Sequence, residues 1–181
     1  MQFVKISLGV LVGFIVLLLA GSLLIPSHWQ VERSIDMGVA PGVVFPYVNN
    51  LRKWPEWTSW YQREPKPLTQ YSGPEEGVGA RSSWQDASGQ GEMGIAVSVS
   101  DWAIAYNLSF EHGEFTARGE ILLRPIMQGG GTRVTWRTYG DSGMNPVAKY
   151  FQLYMNPRIG ADFQQSLERL KDKLEAMPKH A

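Results

Sequence analysis

The stretch WAIAYNLSF, residues 102–110, puts Trp102, Ile104, Tyr106, Leu108 and Phe110 on one side of an extended chain and mostly small or polar residues on the other. A period of two sustained over that length predicts a half-buried β-strand. The pattern continues in both directions. Upstream, Ala80, Ser82 and Trp84 share a face, as do Met93, Ile95, Val97 and Val99. Downstream come Phe115, Ala117, Gly119, Ile121 and Leu123, then Thr132, Val134, Trp136 and Thr138. Connections such as His112-Gly113 and Gln128-Gly129-Gly130-Gly131 imply antiparallel hairpins. A sheet with one apolar face needs a cover.

The C-terminus supplies it. Ile159, Phe163, Leu167, Leu170, Leu174 and Met177 recur at helical spacing and form an amphipathic stripe, with Lys171 and Glu175 one turn apart on the wet face. Asn145-Pro146 and Asn156-Pro157 each pair a capping residue with proline at the first helical position, which predicts one helical region in two pieces. At the other end, WQVERSIDM (29–37) reads as a first strand. Pro41 then opens a helix carrying Val43, Val44, Tyr47, Val48 and Leu51, which Pro46 should kink or shorten. A short helical turn follows with Trp54, Pro55 and Trp57.

Composition narrows the function classes. The chain has 181 residues, 17 Lys+Arg against 17 Asp+Glu, and no cysteine. Zero formal charge offers no cationic field for a phosphate backbone, so no nucleic-acid partner is expected. The lack of cysteine excludes a disulfide scaffold, thiolate zinc and a cysteine nucleophile. Residues 6–25, from Ile6 to Ile25, hold no charge and no proline, and a helix of that length spans a bilayer core of ~30 Å. The length favours an uncleaved anchor over a cleaved signal peptide, whose apolar region is ~7–15 residues. Residues 1–28 are accordingly read as a transmembrane anchor and 29–181 as a separate domain. Lys5 before the span, against mixed Glu32 and Arg33 after it, favours a cytoplasmic N-terminus with the domain outside the cytoplasm, periplasmic in a Gram-negative cell.

The order of strand, two short helices, antiparallel strands and long C-terminal helix resembles the α+β helix-grip architecture of the START-like, or SRPBCC, superfamily, whose bacterial members are often labelled polyketide cyclase/dehydrase. The segments that carry the resemblance are VERSIDM (31–37), APGVVFPYVNNLRKWPEWTSW (40–60), YSGPEEGVGARSSW (71–84), GGTRVTWRTYGDSG (130–143) and IGADFQQSLERLKDKLE (159–175). It implies a curved sheet wrapped around the long helix, with a cavity for an apolar or amphipathic small molecule. Family members range from ligand carriers to cyclases, so the fold does not name an activity.

Candidate pocket residues are Trp57, Trp84, Trp102, Tyr106, Phe110, Gly119 and Trp136. Small Ala80, Ala117 and Gly119 on the inward faces would leave room beneath the helix, although close helix–sheet packing uses small residues in the same way. Trp54, Trp57 and Trp60 either gate such a cavity or close the end of a core, and rings of that size more often do the latter. Gly73, Gly77 and Gly79 lack the lysine and hydroxyl of a phosphate loop and read as a turn. Glu111, His112 and Glu114 fall at a hairpin tip, which is normally solvated, whereas a catalytic pair needs a sheltered pocket. His28, His112 and His180 have no metal spacing, and Glu92, Arg118 and Glu120 fall on outward faces. No catalytic group, metal site or cofactor is therefore expected. The leading reading is a membrane-anchored binding domain for a hydrophobic small molecule or lipid. The alternatives are a cyclase-, dehydratase- or hydrolase-like enzyme acting on such a ligand, or a protein-interaction module.

Overall fold

The computed structural model describes residues 2–86, 89–113, 115–127 and 130–178, with side chains described from Ser7 onward except at Leu8 and His112. After helix α1 (Gln2–Ser22) come strand β1 (His28–Met37) and helix α2 (Pro41–Val48). Two 3-10 turns follow, Leu51–Glu56 and Ser59–Gln62. Six further strands are β2 (Leu68–Ser72), β3 (Arg81–Asp86), β4 (Gly89–Val99), β5 (Ala103–Phe110), β6 (Phe115–Pro125) and β7 (Thr132–Asp141), before helix α3 (Pro146–Glu175). They form one antiparallel sheet in the order β1-β7-β6-β5-β4-β3-β2. This is the expected α+β arrangement of a sheet and a long C-terminal helix.

The amphipathic stripe of α3 lies on the sheet: Phe163, Leu167, Leu170 and Leu174 are buried, with Ile159 and Met177 packed at the margins. Asn145 caps the helix by accepting the Ala148 N–H at 3.1 Å. The helix then runs unbroken through Pro157, correcting the expectation of two pieces. Proline removes one backbone donor in mid-helix, a local cost that packing on both sides of it outweighs. Lys171 and Glu175 are also more than a wet-face pair. Glu175 accepts the Gly38 N–H at 2.6 Å and Lys171 donates to the Asp36 carbonyl at 2.8 Å, tying the end of α3 to the end of β1.

Strand alternation holds on β7, where Thr132, Val134, Trp136 and Thr138 are all buried. It fails on β4. A bulge between Ile95 and Val97 shifts the register, so Val97 and Val99 turn outward while Ser98 takes the inward place and donates to Asn49 Oδ1. An extra residue reverses every side chain beyond it. Phe115, at the start of β6, is exposed as well.

At the N-terminus the apolar run does not stay helical to Ile25. Leu23, Leu24 and Ile25 make three-residue turns back to Ala20, Gly21 and Ser22, and Pro26 disfavours helical geometry at the residue before it. Among the described residues no helix is long and apolar enough to cross a membrane, so the expected transmembrane span is not recovered.

The α3 stripe gives the first prediction. Leu167, fully buried, should cost ~2–5 kcal/mol when changed to alanine, whereas exposed Gln165→Ala should stay within ~0.5 kcal/mol. Ser166→Ala removes the Oγ that accepts the buried Ser59 N–H at 2.8 Å and should cost ~1–3 kcal/mol, all three read from urea midpoints.

Candidate functional site

Between the sheet and the N-terminal part of the α3 stripe lies a cavity of about 470 Å³. Strand register explains its position. Trp29, Ala117, Leu108, Met93 and Ser82 fall on one row across the sheet, linked through the pairs Trp29–Gly140, Ala117–Gly140, Ala117–Leu108, Leu108–Met93 and Met93–Ser82. All five line the cavity. One step toward the sheet end, Trp84 and Phe110 pack edge to face at 5.8 Å; one step inward, Tyr106 and Thr138 form the floor. Ile159 and Phe163 of α3 and Trp60 of the second 3-10 turn close the remaining sides. The opposite end of the sheet is plugged by α2 and the first 3-10 turn, whose Val44, Val48, Leu51 and Trp54 are buried.

Trp136 organises the floor. Its ring stacks on Phe163, with centroids 4.0 Å apart and planes 5° from parallel, and Trp54, Trp57 and Trp60 surround it at 5.3–5.6 Å. Its Nε1–H donates to Tyr106 Oη at 2.7 Å. Because an indole N–H is only a donor, Tyr106 Oη must accept, which leaves the phenol proton for Thr138 Oγ1 at 3.4 Å or for a bound molecule. Burial pushes the Tyr106 hydroxyl up to about 12 despite the opposing pull of Thr138 and Trp136. At neutral pH this group is a neutral donor and not a base. At the mouth, Arg63 pairs with Asp162, joining the loop after the second 3-10 turn to α3.

Of the residues singled out from sequence, Trp84, Tyr106, Phe110 and Trp136 are brought together on the wall. Trp57 is not on it. Fully buried behind Trp136, it donates Nε1–H to the Tyr47 carbonyl, so it closes the core and does not gate a cavity. Trp102 lies away from the cavity in the turn before β5, where Trp102 N bonds the Val99 carbonyl at 3.0 Å. Its half-exposed ring carries the Arg124 guanidinium at 3.7 Å. Gly119 makes no space for a ligand, because the Tyr106 ring already lies against it. The same device recurs at Trp84 over Gly91 and Trp29 over Gly140, and in all three the glycine is the direct cross-strand partner of the ring. Sequence reasoning passed over Trp29 and the mouth residues Arg63 and Asp162. Trp29 was detectable as the first inward position of β1.

The other candidates stay outside the cavity. Gly73, Gly77 and Gly79 adopt positive φ in the β2–β3 turn, as a turn reading requires. Glu111 accepts the Gln90 N–H at 3.2 Å; the His112 side chain, Glu114 and His180 lie outside the described residues. His28 sits 3.5 Å from Asp141 on the surface. Among the described residues no metal-ligand cluster occurs and no buried side-chain nitrogen or oxygen lacks a partner.

With the cavity placed between sheet and helix, the comparisons fit the geometry. Residues 28–175 match the family model described as polyketide cyclase / dehydrase and lipid transport. The chain belongs to this family. No curated protein matches it. Solved structures similar to this member include the KanY protein (TM-score 0.60, 15% identity, covering 82% of this chain and 99% of that one). A protein of Nitrosospira multiformis gives 0.59 and 14%, covering 82% and 97%. DynU16, from the dynemicin biosynthetic locus, gives 0.57 and 14%, covering 81% of this chain; this chain spans only 47% of DynU16. At such identities the likeness shows the helix-grip fold alone, and membership is compatible with a hydrophobic small-molecule ligand.

Two outcomes test this geometry. Tyr106 holds its proton to a higher pH folded than unfolded, so its contribution is complete below pH ~10. The stability it confers should fall by up to about 3 kcal/mol as pH rises through about 12. Tyr106→Phe should flatten that decline in pH-dependent urea melts, while itself costing ~1–3 kcal/mol at pH 7 by orphaning the Trp136 N–H. Gly119→Leu, which drives a side chain into the Tyr106 ring, should destabilise the fold by ~1–3 kcal/mol or more, read as a lower urea midpoint.

Proposed function

We propose that this protein binds a hydrophobic small molecule or lipid in the cavity beneath α3, held at a bilayer by α1 with its N-terminus cytoplasmic and the domain outside the cytoplasm. The observation that carries the binding reading is a cavity of about 470 Å³ walled by aromatic and aliphatic side chains, with a neutral hydrogen-bond donor at its floor. Its size falls in the ~300–1,000 Å³ range of small-molecule sites, and a mostly apolar wall with few polar groups suits an amphipathic ligand. Tyr106 would donate to a carbonyl or hydroxyl on an otherwise apolar molecule.

Membrane attachment rests on the uncharged residues 6–25 and on α1, where Val10, Val12, Phe14, Leu17 and Leu19 are exposed. A helix apolar on every side is stable only inside a protein or a bilayer.

Binding is tested with a fluorescent fatty acid on the full chain in detergent. Ala117→Leu, directed into the cavity row, should weaken binding at least ~10-fold, the equivalent of ~1.4 kcal/mol, with little change in the urea midpoint. No binding by the parent chain would overturn the reading. Attachment is tested separately: a reporter fused after Ala181 should be active only when exported, and release of the protein by carbonate would overturn the tether.

A further inference from the structure

We infer that the N-terminal half of α3 is a second lipid-contacting surface, which seats the cavity mouth on the headgroup–acyl boundary of the bilayer that α1 enters, so that the ligand passes between membrane and pocket without crossing bulk water. The inference rests on the proposed tether and extends it.

Three observations converge. First, α3 divides in two along its length. From Ile159 onward its apolar stripe faces the sheet, but before that Val147, Phe151, Leu153 and Tyr154 are more than half exposed. Val147, Phe151 and Tyr154 follow helical i, i+4, i+7 spacing on the Tyr150 side, while Gln152, on the opposite side, is buried against the domain and donates to the Pro26 carbonyl at 2.7 Å. An aromatic-rich face that no part of the domain covers is therefore built into the helix. The Arg158 guanidinium lies 4.5 Å over the Tyr154 ring at its margin, an arrangement suited to the interfacial zone where aromatic bodies and cationic heads reside together.

Second, α1 ends against this segment. Tyr150 donates to the Leu18 carbonyl at 2.9 Å and Lys149 to the Ser22 carbonyl at 3.2 Å. Exposed Leu23 and Leu24 immediately follow, so the apolar surface of α1 continues into that of α3 at its last turn. Whatever covers α1 on all sides also meets Phe151 and Tyr154. A second copy of the chain could cover one side of α1; a bilayer covers every side.

Third, the cavity opens at this end of the sheet. Trp29 stands near the start of β1, directly after the α1–β1 connection, and Ile159 is one turn beyond Tyr154; both line the cavity. The plugged end, with Val44, Val48 and the β2–β3 turn, is the far one. Tether, uncovered aromatic face and mouth thus share one end of the sheet.

The cysteine-free sequence makes the test direct. Single nitroxide labels are placed by Phe151→Cys, Tyr154→Cys, Ile15→Cys in α1 and Val78→Cys in the far β2–β3 turn, each in the full chain reconstituted into phosphatidylcholine vesicles. Collision rates with oxygen and with a water-soluble nickel chelate report depth. The ratio of oxygen to nickel collisions should rise several-fold at 151 and 154 relative to 78, and be highest at 15. High ratios at 15 with water-like ratios at both 151 and 154 would overturn the inference and leave the tether standing; water-like ratios at all positions would overturn both. Dipolar broadening between labels at 151, with low collision rates for both reagents, would identify a second copy as the cover and likewise overturn it.

Discussion

The contact between Trp136 and Phe163 is the one on which the rest of the molecule depends. It is the point where the long helix meets β7, one strand in from the β1 edge of the sheet, face to face at 4.0 Å. Around it the rings of Trp54, Trp57 and Trp60 pack from the segment after α2, so three separate parts of the chain converge on one indole. Large rings bury much apolar area each, and tilted contacts at these distances add a smaller directional contribution. The indole N–H is satisfied by Tyr106, which lets a polar atom sit at the bottom of an apolar site without an unpaired donor.

The cavity exists because packing stops short of the sheet end. At the plugged end α2 and the first 3-10 turn fill the concave face; at the other, α3 stays on the β1 side and the row beneath it sets small Ala117 and Ser82 among Trp29, Leu108 and Met93. Gly160 faces β1 at this crossing, where the Arg33 guanidinium occupies the space beside its α-carbon. The ring-over-glycine pairs seat Trp29, Tyr106 and Trp84 over the backbone of the neighbouring strand, so these walls are held by cross-strand packing. On the outer face, Arg137 bridges Glu32 of β1 and Glu120 of β6, bonding them at 2.6 and 2.8 Å. Half-solvated pairs of this kind add modest stability and keep the edge strand in register.

Family membership and site chemistry constrain function to different degrees. Membership fixes the scaffold, on which carriers and enzymes are both found. The site adds chemistry to that scaffold: Tyr106 stays protonated at the floor, while Arg63 and Asp162 pair at the mouth, where Glu64 and Asp86 also line the cavity.

What the sequence determined by itself was whatever depends on local period. Alternation along residues 102–138 and the spacing from Ile159 to Met177 established the strands, their apolar face and its helical cover, because side-chain direction follows directly from backbone geometry in strands and helices. Asn145 was readable as a cap for the same reason. Tertiary structure alone decided where alternation breaks and where space remains. The bulge after Ile95 turns Val97 outward although its sequence differs in no way from a regular strand; Trp102 falls in a turn one residue before β5; and Gly119, small on paper, lies under a ring from the next strand. Pro157 did not end α3, because contacts distant in sequence outweigh one missing backbone bond. A void is the remainder after all neighbours have been placed, so no single segment of sequence records it.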